Sequence, residues 1–147
     1  MNVAQAMRKT VVIIHEGMSV TEASKSMREK KQSCSIVLRQ DKPFGIVTEQ
    51  DIAWKVVANG LDPKNVKIDE IMSTPLIVVD PDEDLSEAAN KMNKHKIRRL
   101  VVVKEGALLG VLTAGDIMRN IGSYVDKEEV QDVLKYLWMP QYYPDLM

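Results

Sequence analysis

The heptapeptides GIVTEQD (Gly45 to Asp51) and GVLTAGD (Gly110 to Asp116) share a glycine, two aliphatic residues, a threonine and an aspartate, and lie 65 positions apart. Shifted by that interval, residues 7–52 align with 72–117 without a gap, and ten of the 46 pairs are identical. Ordinary residue frequencies would give roughly three. A gapless internal repeat constrains the fold more than any composition value, because both halves must adopt one architecture.

Each copy reads as β-α-β-β-α. An aliphatic run (Val11 to Ile14; Leu76 to Val79) suits a buried strand. A helix start follows, Ser19-x-x-Glu22 and Asp84-x-x-Glu87, with a capping oxygen and an acid at the positive helix end. Val20, Ala23 and Met27, then Leu85, Ala88, Ala89 and Met92, fall at helical spacing. Second strands over Ser35 to Arg39 and Leu100 to Lys104 turn through Gln40-Asp41-Lys42 and Glu105-Gly106 into third strands that run into the heptapeptides. The last helix of each copy begins near the aspartate and stops before Gly60 or Gly122. One unit has too few layers to cover its sheet, so the two should pack together. The predicted class is α+β, two repeats related by a pseudo-twofold axis plus a C-terminal helix. The expected domains are 1–64, 65–123 and 124–147.

Twenty basic residues against 21 acidic ones give a net charge of −1, which offers no general attraction for nucleic acid or acidic membranes. No aliphatic run is long enough to span a bilayer, and MNVAQAMRKT carries no apolar core of a secretory signal. A lone cysteine excludes an internal disulfide and fits a reducing cytoplasm.

The Thr-x-x-Asp pairs admit two readings. In one, Thr48 and Thr113 are helix N-caps, Asp51 and Asp116 sit in the positive helix end, and Gly45 and Gly110 ease a close backbone contact. In the other, each aspartate offers its two oxygens to the adjacent hydroxyls of a ribose, while the threonine and helix-start N–H groups suit phosphate oxygens. There the glycine admits a flat ring or sugar against the main chain.

The repeat, its element order and two intact copies of Gly-aliphatic-x-Thr-x-x-Asp resemble a tandem pair of CBS domains, the module named after cystathionine β-synthase, over roughly residues 1–123. The resemblance implies a stand-alone, non-enzymatic regulatory module with two clefts for AMP, ADP, ATP or S-adenosylmethionine. It implies a homodimer of pairs that signals to a client protein. By the family pattern Asp51 and Asp116 take the ribose diol, and Thr48 and Thr113 lie near sugar or phosphate. Thr10 and Val12, then Pro75 and Ile77, line the adenine slots. The segment HKIRRLV (95–101) resembles the phosphate-binding segment of the regulatory γ subunit of AMP-activated protein kinase, with Arg98 and Arg99 in the basic places. Their repeat counterparts are Ser33 and Cys34. In the family such residues often reach the cleft of the opposite repeat, so the arginines would serve the Asp51 cleft and Ser33 the Asp116 cleft. Position 98 departs from the stricter pattern, which has histidine. Two unequal sites follow. Read without the resemblance, the basic stretch is a solvated helix end opposite the acidic DPDED (Asp80 to Asp84).

His15, His95 and Cys34 do not make a four-ligand zinc set, and a Cys34–His95 nucleophile pair lacks an orienting third group. The alternative to a sensor is a ligand-free dimerisation or interaction scaffold. The segment from Asp126 presents Val130, Val133, Leu134 and Leu137 on one helical face, suited to its own module, a dimer mate or a client.

Overall fold

The computed structural model describes residues 1–120 and Glu128. Apart from Glu128, the expected C-terminal helix and the helix stop at Gly122 lie outside the described residues. In chain order the elements are α1 (Val3–Ala6), β1 (Val12–His15), α2 (Val20–Lys30), β2 (Cys34–Arg39) and β3 (Lys42–Thr48). A single turn α3 (Glu49–Asp51) then runs into a π-helical stretch, Ile52–Val57. After a 3-10 turn (Ile68–Glu70) come β4 (Val78–Val79), α4 (Leu85–His95), β5 (Arg99–Lys104), β6 (Ala107–Thr113) and α5 (Ala114–Asn120). The α+β class holds, with two three-stranded sheets.

Both sheets have one topology. The middle strand, β2 or β5, pairs in parallel with the first strand and antiparallel with the third. The duplication extends to backbone irregularities. A register break falls between Val37 and Leu38 and again between Val102 and Val103. Helices α2 and α4 both end on a left-handed lysine, Lys31 (φ 53°) and Lys96 (φ 56°). The hairpins turn through paired positive φ values at Gln40-Asp41 and Glu105-Gly106, the conformation that matches strand twist in a two-residue loop.

The chain divides into two compact units, Thr10–Leu76 and Met1–Lys9 with the chain from Ile77. In the first, Val12, Ile14, Val37 and Val47 of the sheet pack with Val20, Ala23 and Met27 of α2, and Val66, Ile68 and Ile71 close the core. In the second, Val79, Leu100, Val102 and Leu112 pack with Leu85, Ala88, Ala89 and Met92 of α4, closed by Val3 and Ala6. The closing segments are repeat-equivalent, 68–71 and 3–6. Each leads into a two-bond bridge to the third strand of its unit. Ile46 N–H donates to Ser73 O (3.1 Å) and Ser73 N–H to Ile46 O (2.9 Å). Arg8 N–H donates to Val111 O (2.9 Å) and Val111 N–H to Arg8 O (3.0 Å).

Three local expectations shift. β4 keeps only two of the four residues in the Leu76–Val79 run; Pro75, with no N–H, precedes it, and a strand rarely extends through such a residue. Asp84 stands at the α4 N-cap without a side-chain cap bond. There the lead-in supplies the partner, since Leu85 N–H donates to Met1 O (3.2 Å). The helix after Asp51 is π rather than α, with Ala58 N–H reaching Ala53 O (2.9 Å) and Leu61 N–H reaching Val56 O (3.0 Å). Gly60 beyond it is left-handed (φ 67°), as a chain leaving a helix often requires.

Candidate functional site

The two heptapeptides build the same turn. Each third strand ends in a threonine with extended backbone whose hydroxyl accepts the aspartate N–H, at 3.2 Å in Thr48–Asp51 and 3.0 Å in Thr113–Asp116. The aspartate Oδ2 returns the bond by accepting the threonine N–H, at 2.9 Å and 2.8 Å. These are reciprocal capping boxes, with aspartate in the role usually taken by glutamate. The glycines serve close packing. A Cβ on Gly45 would stand 2.7 Å from Met72 Sδ, and one on Gly110 would stand 2.3 Å from the Arg8 carbonyl oxygen.

What remains on each carboxylate differs. Asp51 Oδ2 also accepts the Thr48 hydroxyl (3.1 Å), and among the described residues its Oδ1 meets only Lys55 Nζ (3.1 Å). Its side chain is 15% exposed and that of Lys55 46%. Asp116 is 1% exposed, and its Oδ1 accepts from both Arg8 Nε (2.9 Å) and an Arg119 Nη. An ionised carboxylate has about four acceptor directions. A diol at Asp51 needs one lysine to withdraw, which would leave it the Ile71 carbonyl as partner (2.9 Å), whereas at Asp116 two guanidiniums must leave a buried oxygen. The arginines sit at positions whose counterparts, 65 residues away, are Ser73 and Trp54 of the unit Thr10–Leu76. Sequence reasoning did not select Arg8 and Arg119. The signal available was their mismatch across the repeat on either side of the matched motif.

Other predicted site residues lie as follows. Thr10 and Pro75 are exposed just ahead of β1 and β4. Val12 is 1% exposed and packs into the first core, so its side chain is structural, while Ile77 is half-buried against the second core. Ser33 O and Arg98 O play one role, accepting the N–H of Glu49 (3.0 Å) and Ala114 (2.9 Å) at the motif helices. Arg98 is exposed, and Arg99 is half-buried beside Thr113 in the strand register. A pocket of about 490 Å³ in the first unit is lined by Met27, Arg28, Lys31, Gln32, Ser33 and Glu49, among others, and by neither Thr48 nor Asp51. Cys34 is buried and in no disulfide, being the chain's one cysteine. Among the described residues no cluster of three His, Cys, Asp or Glu could hold a metal ion, and no helix is long and apolar enough to cross a membrane.

A family model described as the CBS domain matches residues 3–58 and again residues 68–123. The chain belongs to the CBS-domain family. Its CBS pair is 37% identical over 120 residues to an uncharacterized protein of Methanopyrus kandleri, covering 80% of this chain and 61% of that protein. A second such relative, from Methanocaldococcus jannaschii, is likewise covered over 61% of its length, so the chain spans about three fifths of these relatives. Among solved structures, the hexameric CBS-CP12 protein of bloom-forming cyanobacteria matches with a TM-score of 0.80 at 33% identity, over 92% of this chain and 77% of that one. The CBS domain pair of protein MJ0100, solved with 5′-methylthioadenosine and S-adenosylmethionine, matches with a TM-score of 0.75 at 29% identity, over 84% and 97%.

Proposed function

We propose that this CBS pair is a non-enzymatic, cytoplasmic regulatory module that binds an adenosine-class ligand and passes its bound state to a partner protein. AMP, ADP and ATP are the first candidates, and S-adenosylmethionine is the alternative. The observation that carries the reading is the twice-built Gly-x-x-Thr-x-x-Asp turn, which sets a carboxylate at the mouth of a helix in both repeats. The adenosyl compounds held by the MJ0100 pair support the ligand class. Asp51 is the stronger sugar-binding candidate, because a single half-exposed lysine, rather than two guanidiniums, stands on its Oδ1. Thr48 and Thr113 hold the turns, Thr10, Pro75 and Ile77 stand at the strand starts assigned to the adenine, and Arg98 and Arg99 are candidates for phosphate. Self-association into a homodimer of pairs belongs to the same reading.

Signalling would follow from linkage. A ligand that favours one arrangement of the assembly shifts the populations by its differential affinity. Calorimetric titration with adenosine, AMP, ATP and S-adenosylmethionine tests the proposal. Asp51→Ala removes a charge-assisted hydrogen bond worth about 1.5–3 kcal/mol, so affinity should fall roughly ten- to 150-fold. Wild-type affinity in that variant would dismiss the sugar assignment.

The burial of Asp116 favours a second reading, a scaffold in which the motifs serve only as caps. Ligand that binds the native state must raise its melting temperature. No shift with any of the four compounds would favour the scaffold.

A further inference from the structure

Arg8 and Arg119 converge on one oxygen of Asp116, two positive charges on one negative, so the cluster carries a net charge of +1. The carboxylate is largely taken up, since Oδ1 takes both arginines and Oδ2 takes the Thr113 N–H. The arginines are not. Their side chains are 43% and 56% exposed, and among the described residues each is recorded donating to Asp116 alone, Arg8 through Nε and Arg119 through one Nη. Several N–H groups per guanidinium thus remain available, on two forks fixed side by side by a buried anchor. Like charges so close repel, and a second anion spanning both forks would relieve that repulsion while accepting bidentate bonds.

We infer that Arg8 and Arg119, positioned by Asp116, form a site for a phosphate-class anion on the second-repeat unit. Asp116 is then a positioning residue for the arginines instead of a sugar ligand. The unit Thr10–Leu76 carries Ser73 and Trp54 in the corresponding places, so the duplicated motifs have divided the work. Asp51 keeps an approachable oxygen for hydroxyls, and the Asp116 copy has become an anion receptor. The inference rests on the adenosine-ligand reading only for what carries the phosphate. A free phosphate and the phosphate of a nucleotide present the same oxygens.

The test titrates the full chain, at low salt, with inorganic phosphate, adenosine and AMP, in wild type and in Arg8→Gln and Arg119→Gln. Melting temperatures of the variants serve as the folding control. Should Arg8→Gln fail to fold, Arg119→Gln carries the test, with Arg119→Lys keeping charge but losing the fork. Saturable phosphate binding that weakens about tenfold or more in each glutamine variant supports the site, with free anion as ligand. If phosphate alone does not bind, but AMP binds more tightly than adenosine and that advantage disappears in the variants, the site stands with a nucleotide as carrier. If neither phosphate binding nor the advantage of AMP depends on either arginine, the site is overturned. That result leaves the sugar reading at Asp51 untouched, because adenosine binding reports on it separately.

Discussion

Alanine at the two motif glycines should have very different costs, although the positions are repeat-equivalent. At Gly110 the new Cβ would meet the Arg8 carbonyl oxygen at 2.3 Å, far inside van der Waals contact. That oxygen belongs to the two-bond bridge between Arg8 and Val111, so relief requires the bridge to open. Two backbone hydrogen bonds at about 0.5–1.5 kcal/mol each set a loss of about 1–3 kcal/mol. Reduced chain entropy in the unfolded state returns only about 0.4–1 kcal/mol. At Gly45 the obstacles are side-chain atoms, Met72 Sδ at 2.7 Å and Thr74 Cγ2 at 3.1 Å, and the unbranched methionine can change rotamer. Its cost should stay near or below about 1 kcal/mol. Urea unfolding of wild type, Gly45→Ala and Gly110→Ala measures both, with the slope checked for constancy. The Gly110 variant should lose clearly more stability. Equal losses, or a larger one at Gly45, would refute the assignment of these glycines to different neighbours.

Further outcomes follow from the same structure. Among the described residues the fully buried Ser35 hydroxyl has no hydrogen-bond partner, and the second repeat has Leu100 there; Ser35→Ala should therefore raise the unfolding free energy, by about 1–3 kcal/mol at most. Lys31→Gly and Lys96→Gly should each stabilise by up to about 1 kcal/mol in the same assay, because glycine takes the left-handed helix end without a Cβ penalty. Hydrogen bonding and attraction from Lys104 hold the Asp82 carboxyl below its ordinary value of 3.8, and the Asp82 hydrogen bond, with attraction from Asp80 and Asp82, raises Lys104 above 10.5. The pair's contribution is thus present at neutral pH. It fades as pH falls through the lowered Asp82 value, and again as pH rises through the raised Lys104 value. An NMR titration of Lys104→Ala should show the Asp82 midpoint moving up.

The repeat made most of the fold legible. Matching positions supplied the strand–helix–hairpin order, the α2 cap at Ser19 and the buried faces of α2 and α4, because hydrophobic spacing and capping chemistry are local. Both features of the Thr-x-x-Asp turn named from sequence, the threonine cap and the glycine contact, are realised in atomic detail. Three things were not legible. The π-helix after Asp51 depends on how one turn of backbone settles, which spacing does not record. The short β4 and the uncapped Asp84 depend on neighbours distant in the chain. The Arg8–Asp116–Arg119 cluster joins residues 108 positions apart, so it becomes visible only when the bridge at Val111 brings them together.

The lead-ins carry an evolutionary consequence. Cut at the repeat boundary, fragment 1–64 would keep Val3 and Ala6, which have no place in its own core, and would lack Ile68 and Ile71, which do. If a single ancestral copy kept this arrangement, its arm would have closed a neighbour's body and its product would have completed itself by exchange with a twin. Fusion in tandem then made an association between separate molecules a permanent feature of one polypeptide.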